Sequence, residues 1–498
     1  MADLSNDLFC SDLPTTPCPE IGTILVTGAS GYIGGRLVPE LMARGYTVRV
    51  MVRQYSPEYV ERWPGAEIVV ADALNVGDLG KALEGVTVAY YLIHSLLLGK
   101  REFEIADIQA VTNFRFKAEE KRVNRIIYLG GLGEFHPGLS GHLKSRLTVA
   151  EILTRSEIQT TILRAAIIIG SGSASYEIVE HLVRNSPVYF LPSWSKTLCQ
   201  PISIRDIVKY LVGVLEEPET TGQSYDLCGD EILSYKEMIR EFAKLLRKRR
   251  LYLWSPVSSI RFYSYFTSLL TPVPEPIVYC LMDSVVNEVI CRSSTIKHII
   301  PFNTLSYKES VVRALSREEQ DKIYTRWSDA YPPAHELAIK LSELKEPPRF
   351  ISSYYLETDK PAGSLFKSIC TIGGKEGWFH NNWMWRFRGF IDRILLGVGS
   401  LRGRRSASTL RINDVIGFWR VEDLVPNKKL LLRAEMILPG KAWLEFRIAN
   451  GEPAERNKIS VHAYFAPNGI AGRIYWYNFL PFHFIIFKNL LKQLDKRS

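Results

Sequence analysis

From Thr23 onward, short apolar runs alternate with longer stretches in which apolar residues recur every three or four positions. Thr23–Val26, Thr47–Val52, Glu67–Val70, Ala89–Ile93 and Arg125–Leu129 predict strands. The amphipathic run to Arg44, Asp107–Lys121 and Leu143–Thr154 predict helices. Strands that are apolar on both faces belong inside a parallel sheet covered by helices, so the alternation predicts an α/β fold with a doubly wound sheet. Thr161–Ile169 extends the pattern as a long strand, Ile204–Leu215 as a helix, Tyr225–Leu227 as a short strand and Ser234–Arg249 as a basic-ended helix. One α/β unit therefore spans 21–250, its later part serving as a substrate lobe.

The texture then changes. Trp254–Val286 mixes aromatic residues with Pro256, Pro272, Pro274 and Pro276, which predicts broken helices. Residues 251–349 form a helical extension that ends in a linker at Glu346-Pro347-Pro348. Beyond it, strands such as Leu430–Met436 and Trp443–Ile448 alternate with loops and carry six of the ten tryptophans. This stretch, 350–498, is a second domain of α+β type. Before the first strand, Pro14, Pro17 and Pro19 lie among Ser, Asp and Thr, and residues 1–20 are expected to form a loose tail.

Composition narrows the class. At 46% hydrophobic and 23% charged, the chain is neither disordered nor a small disulfide scaffold. The charge is uneven: residues 351–498 hold 23 Lys+Arg against 12 Asp+Glu, while the first 350 hold 39 against 41. An anionic ligand, an acidic membrane surface or a plain solvated face all fit this basic excess. Nucleic acid is not expected, since no known binding module appears. Cysteines 10, 18, 199, 228, 280, 291 and 370 show no paired spacing and predict reduced thiols, with neither a metal site nor a disulfide framework. No secretory leader is expected. No run of 18 apolar residues occurs, and the nearest approach, Tyr475–Leu491, is broken by Asn478, His483 and Lys488. That segment predicts a buried C-terminal helix or one that dips into lipid.

The chemistry begins at Thr27-Gly28-Ala29-Ser30-Gly31-Tyr32-Ile33-Gly34, which follows a strand and opens a helix. Gly28 and Gly31 allow a tight turn and close approach of a pyrophosphate to the backbone, and the helix N-terminus favours its charge. Gly34 lets helix and strand pack closely. The second strand ends Val50-Met51-Val52-Arg53 with no acid for a ribose 2′-hydroxyl, and Arg53, with Arg36 second, can pair with a 2′-phosphate. The expected cofactor is NADP, ahead of NAD.

The Thr-Gly-x-x-Gly-x-x-Gly turn resembles the extended and atypical short-chain dehydrogenase/reductase (SDR) superfamily, near its NmrA-like members. The resemblance covers 22–250. It implies that Ser30, Tyr32 and Ile33 join the glycines at the cofactor, that Asp72 and Ala73 meet the adenine, and that Ile93, His94 and Ser95 meet its middle. Leu163-Arg164-Ala165, Pro201-Ile-Ser-Ile-Arg205-Asp206 and Tyr225-Asp226-Leu227-Cys228-Gly229 resemble later signatures of the same superfamily. The departure is at the catalytic pair: where SDR enzymes carry Tyr-x-x-x-Lys on one helix face, this chain has His142-Leu-Lys-Ser-Arg146, and Gly130-Gly131 stands where a Ser would. Arg146 can hold ribose hydroxyls but is no base, whereas His142 can donate or accept a proton.

The C-terminal segment, with Trp383-Met-Trp385-Arg386-Phe-Arg388, Phe418-Trp419-Arg420 and Gly472-Arg473-Ile474-Tyr475-Trp476-Tyr477, resembles a domain of unknown function found behind the SDR fold in bacterial proteins. The resemblance implies a helix-grip fold of the START/polyketide-cyclase type around an apolar cavity. Arginines 386, 388, 393, 402, 404, 405 and 411 could then bind an anionic head group. Two functions follow. One is an NADP(H)-dependent oxidoreductase acting on a hydrophobic small molecule held by the C-terminal domain. The other is a non-catalytic redox sensor or assembly factor. The chain is expected in the cytoplasm, with peripheral contact to the inner face of a membrane through its basic domain; the oligomeric state stays open.

Overall fold

The structure, a computed structural model, describes residues 8–94, 102–319, 325–330, 339–344, 346–373, 377–404, 406, 409–450 and 456–498. These divide into two units, one within 1–270 and 276–333, the other within 271–275 and 334–498. The stretch 251–349 is thus shared between both.

In the first unit, β1 (Thr23–Val26), β2 (Val48–Val52), β3 (Glu67–Val70), β4 (Val86–Tyr91), β5 (Arg125–Gly131), β6 (Gln159–Ala165) and β7 (Ser224–Leu227) form one sheet in the order β7-β6-β5-β4-β1-β2-β3. Every pairing is parallel. Alternate residues point to opposite faces. Ile24, Val26, Tyr90 and Ile127 therefore pack in one apolar core with Leu37, Val38 and Leu211. Leu25, Ala89, Tyr91, Ile126 and Tyr128 pack in the other with Phe114 and Val149. The chain reverses its direction of travel across the sheet between β1 and β4, and such switch points leave a crevice at the strand ends.

Several local expectations change. The run Thr161–Ile169 is two strands, because after Ala165 the chain leaves the sheet and Ile168–Ile169 pairs with Ile202–Ser203 instead. The expected helix Ser234–Arg249 is Tyr235–Leu245: Ser234 and Glu237 form a capping box, and Arg247 adopts a positive φ just past its end. Leu251–Trp254 forms a strand parallel to Val188–Leu191, followed by the expected broken helices Ile260–Leu270 and Glu275–Asp283. The described part of the N-terminal stretch is not loose. Phe9, Cys10 and Leu13 are buried, the Glu40 carboxylate accepts from the backbone N–H of Phe9 and Cys10, and Arg44 donates to the carbonyls of Cys10 and Thr15. The cysteine expectation is also corrected. Cys228 and Cys291 are joined as a disulfide with Cα atoms 6.3 Å apart. Their separation of 63 residues carries no spacing signal, since the fold alone brings them together.

The second unit is an antiparallel sheet of β8 (Phe350–Thr358), β9 (Val415–Ile416), β10 (Trp419–Val425), β11 (Lys429–Ala434), β12 (Gly440–Asn450) and β13 (Asn457–Pro467), in the order β8-β13-β12-β11-β10-β9. The helix Gly469–Lys496 packs on β8 and β13, with Trp476 stacked on Phe465. Among the described residues, no helix is long and apolar enough to cross a membrane. The arginines singled out from sequence are largely committed inside the unit. Arg393 donates to the carbonyls of Thr271 and Val273, Arg402 pairs with Glu435 at 2.8 Å, Arg404 donates to the carbonyls of Ile372 and Thr409, and Arg388 donates to that of Ile437. Arg405 lies outside the described residues.

Candidate functional site

The glycine turn sits at the switch point. Thr27 Oγ1 donates to the Tyr90 carbonyl at 2.9 Å and accepts from Leu92 N–H at 3.0 Å, tying the end of β1 to the end of β4. Gly28 has φ +62°, and a Cβ there would lie 2.7 Å from the Leu92 carbonyl oxygen. A Cβ on Gly34 would lie 2.5 Å from the Gly28 carbonyl oxygen and 2.8 Å from Ala29 Cα, both backbone atoms. No side chain fits at either place without moving the main chain, so the turn is built for close approach.

This turn opens onto a cavity of about 1090 Å³ within the first unit. Gly28, Ser30, Gly31, Tyr32, Ile33 and Gly34 line its floor. Arg53, Asp72, Ala73, Ile93, His94 and His142 line the cavity as well. Ser95 lies outside the described residues. The far wall is apolar and aromatic, with Trp194, Ile239, Phe262, Phe266 and Leu270. The residues fit a dinucleotide: a glycine floor at a helix N-terminus, Arg53 at the end of β2, and a cavity long enough to continue past it.

Two expected residues are not brought to the cavity. Arg36 is buried and donates to the carbonyls of Tyr32, Thr325 and Ser171, and to the Thr325 hydroxyl, so it is a strut behind the turn. Arg146 is also buried. Its Nη2 donates to Asp107 Oδ2 at 2.8 Å and its guanidinium lies 5.9 Å from the centre of the Tyr128 ring, beneath the cavity wall. The buried Asp107 carboxylate holds it there, outside the cavity lining.

The same carboxylate organises a chain of hydrogen bonds. Asp107 Oδ2 lies 3.2 Å from His94 Nδ1, His94 Nε2 lies 3.2 Å from His142 Nε2, and His142 Nδ1 lies 3.3 Å from Ser284 Oγ. Ser145 Oγ donates to Asp107 as well, and Ser284 Oγ lies 2.9 Å from Ser140 Oγ. Burial pushes the pKa of His94 down to about 4, aided by Arg146, and pushes His142 well below its ordinary value. Both imidazoles are neutral at pH 7. With Asp107 ionised against Arg146, one proton arrangement satisfies the chain. His94 Nδ1–H donates to Asp107, His142 Nε2–H donates to His94, and Ser284 O–H donates to His142 Nδ1.

Sequence reasoning missed Asp107 and Ser284. Asp107 is 13 residues from His94 and 39 from Arg146, and Ser284 is 142 from His142, so no spacing announces them. The absent Ser after β5 was legible; the hydroxyl beside His142 comes from a different part of the chain, just after Glu275–Asp283. The later motifs also meet: Arg164 of β6 donates to Asp226 of β7 at 2.8 Å.

A family model described as NAD(P)H-binding matches residues 28–188, and one for a protein of unknown function, DUF2867, matches 346–490. The chain is 25% identical over 231 residues to the mitochondrial NADH dehydrogenase [ubiquinone] 1 alpha subcomplex subunit 9 of Dictyostelium discoideum, covering 43% of this chain and 61% of that protein. It is 23% identical over 281 residues to the chloroplastic divinyl chlorophyllide a 8-vinyl-reductase of Arabidopsis thaliana, covering 52% and 67%. Among solved structures it is similar to the triphenylmethane reductase of a Citrobacter species in complex with NADP(H), at 19% identity and a TM-score of 0.48, covering 59% of this chain and 99% of that one. The first unit contains an NAD(P)H-binding domain with a Rossmann-type sheet, and the second contains a DUF2867 domain.

Proposed function

We propose that this protein is an NADP(H)-dependent oxidoreductase whose hydrophobic substrate sits in the cavity of the first unit. The observation that carries the reading is the continuity of that cavity, from the glycine floor past His142 and Ser284 to an apolar far wall. The substrate's place is therefore beside the glycine turn rather than in the C-terminal domain. The long helix on an antiparallel sheet agrees with a helix-grip reading of that domain. Arg53, at the end of a strand that lacks an acid, favours NADP over NAD.

A bound nicotinamide dinucleotide supplies or takes up a hydride. The chain's own residues hold the dinucleotide on Gly28, Ser30, Gly31 and Ile33, and they handle the proton. In alcohol oxidation, Ser284 Oγ takes the substrate hydroxyl proton as its own proton passes to His142 Nδ1. His142 passes its Nε2 proton to His94, which carries the added proton as an imidazolium paired with the Asp107 carboxylate. The reverse direction starts from a chain that has gained a proton from water. This relay replaces Tyr-x-x-x-Lys: the acceptor is a neutral imidazole, and Arg146 fixes the charge of the carboxylate behind it.

The test begins with titration of the full-length protein by NADPH and NADH, followed by ligand fluorescence. NADPH should bind more tightly, and Arg53→Ala should remove the preference. A panel of quinones, enones and secondary alcohols then reads turnover at the nicotinamide absorbance, with His142→Ala and Ser284→Ala as controls. Failure of both nucleotides to bind rejects the reading. One observation favours the second reading, a redox sensor: both histidines are neutral, so no protonated donor stands ready at pH 7. Tight NADPH binding without turnover of any panel member would select it.

A further inference from the structure

The second unit carries a helix with an exposed apolar stripe. In α1 (Asn382–Ile394), the residues facing solvent are Trp383, Phe387, Phe390, Ile391 and Ile394, at spacings of four, three, one and three. Trp383 is 64% and Phe387 60% exposed. The face turned inward mixes Trp385, which stacks on Trp378 and packs on Phe418 and Trp419, with polar groups. Buried Asp392 accepts from the N–H groups of Gly399 and Ile437, and buried Arg393 donates to backbone carbonyls. An amphipathic surface helix ordinarily buries its apolar stripe.

The helix α2 (Gly469–Lys496) repeats the feature over its first two-thirds. Ile470, Ile474, Tyr477, Phe484 and Ile485 are exposed on one face, with Ile470 at 75%, while Trp476, Phe487 and Leu490 are buried on the other. Both helices are tied to one segment. Arg388 and Asp392 of α1 bond the main chain of Ile437, while the N–H of Asn468, which caps α2, donates to the carbonyl of Pro439. Ile437 is itself 48% exposed. Two apolar helix faces tied to one segment thus stand exposed, more than the scattered exposed hydrophobes of an ordinary surface.

Their charge is of one sign. Arg386, Arg473 and Lys488 are exposed among these residues. The one acid of α1, Asp392, is buried, and α2 has no acid before Asp495. We propose that this surface docks on an anionic lipid bilayer, with the aromatic and branched side chains in the interfacial layer and the three basic groups at the lipid phosphates. A span is not required: α1 and α2 would lie in the plane of the surface. A self-complementary dimer through this face would bring like charges together, which a negatively charged bilayer does not. The proposal is independent of any reading of the first unit.

Co-sedimentation of the full-length protein with vesicles tests it. Equimolar phosphatidylglycerol and phosphatidylcholine should retain the protein, and pure phosphatidylcholine should hold it far more weakly. Removing one basic residue at the surface should weaken binding roughly fivefold, so R386Q/R473Q/K488Q should lose about a hundredfold. Raised salt should act in the same direction. F387S/F390S, at exposed positions that support no core, should abolish retention with an unchanged melting curve. Absence of binding to anionic vesicles overturns the proposal. So does equal binding to both compositions, or a concentration-dependent dimer that shields Trp383 from a quencher without lipid.

Discussion

Replacing Asp107 with Asn removes the negative charge that faces the buried Arg146 guanidinium. The side chains are 1% and 7% exposed and 2.8 Å apart, so water cannot take the place of the lost partner. Breaking a buried pair from one side typically costs about 3–5 kcal/mol. R146M should cost a similar amount, because it takes the guanidinium from a buried carboxylate. D107N/R146M removes both charges, and its cost should fall short of the summed single costs by about 2 kcal/mol or more. The readout is the urea midpoint of the transition that carries the first unit, identified by hydrogen exchange in β4 and β5. Additive costs, or single substitutions costing under about 1 kcal/mol, would refute the reasoning.

Other expectations follow from the same geometry. His94 is held near a pKa of about 4 against about 6.5 when unfolded, so the unfolded chain binds more protons between those values and stability falls on acidification; passing from pH 8 to pH 5 should cost about 2 kcal/mol from this residue. H94Q should flatten that slope in pH-dependent unfolding, and an unchanged slope contradicts the assignment. Gly34→Ala drives a Cβ into the Gly28 carbonyl and should abolish NADPH retention in equilibrium dialysis, with the second unit's melting untouched. Breaking Cys228–Cys291, which closes a separation of 63 residues, should cost about 4 kcal/mol on loop entropy alone; a melting curve unmoved by reductant would show that these thiols are unpaired. Glu435 lies between Arg402 and Arg420, which hold its carboxyl down at about 2 despite burial. E435Q should therefore lower the second unit's melting point at pH 7 and make it less sensitive to acid below about pH 4, as read by calorimetry.

The sheet and its cofactor end were legible because local pattern governs them. Apolar strands spaced by amphipathic helices, and a glycine turn in that context, have few other solutions. Arg53 could be read because strand end and residue type coincide in one short segment. What escaped is what depends on distant segments meeting. His94 was assigned to the cofactor on resemblance alone, while its hydrogen bonds to Asp107 and His142 arise only when helix Glu102–Glu120 docks beside Gly141–Thr154. Arg146 sat at the expected helical spacing from His142, but which way a side chain turns depends on the charge buried beneath it. Leu251–Trp254 carried no period that marks it as a strand, since its partner is a segment 63 residues earlier. The outward apolar stripe of α1 was invisible as such, because hydrophobic spacing shows that a stripe exists and not which side it faces.

Arg36, buried behind the glycine turn, ends on the carbonyl of Thr325, 289 residues further along the chain. A ribosome adding roughly 5–20 residues per second needs about 15–60 s to travel that distance. Throughout that interval the nascent nucleotide cradle has strands, turn and helix, but one of its rear supports has not yet been synthesised. A guanidinium awaiting its partners stays hydrated and keeps that side of the turn open. The dinucleotide site is thus finished late in biosynthesis, and a nascent chain halted before Thr325 would present the motif without a firm seat.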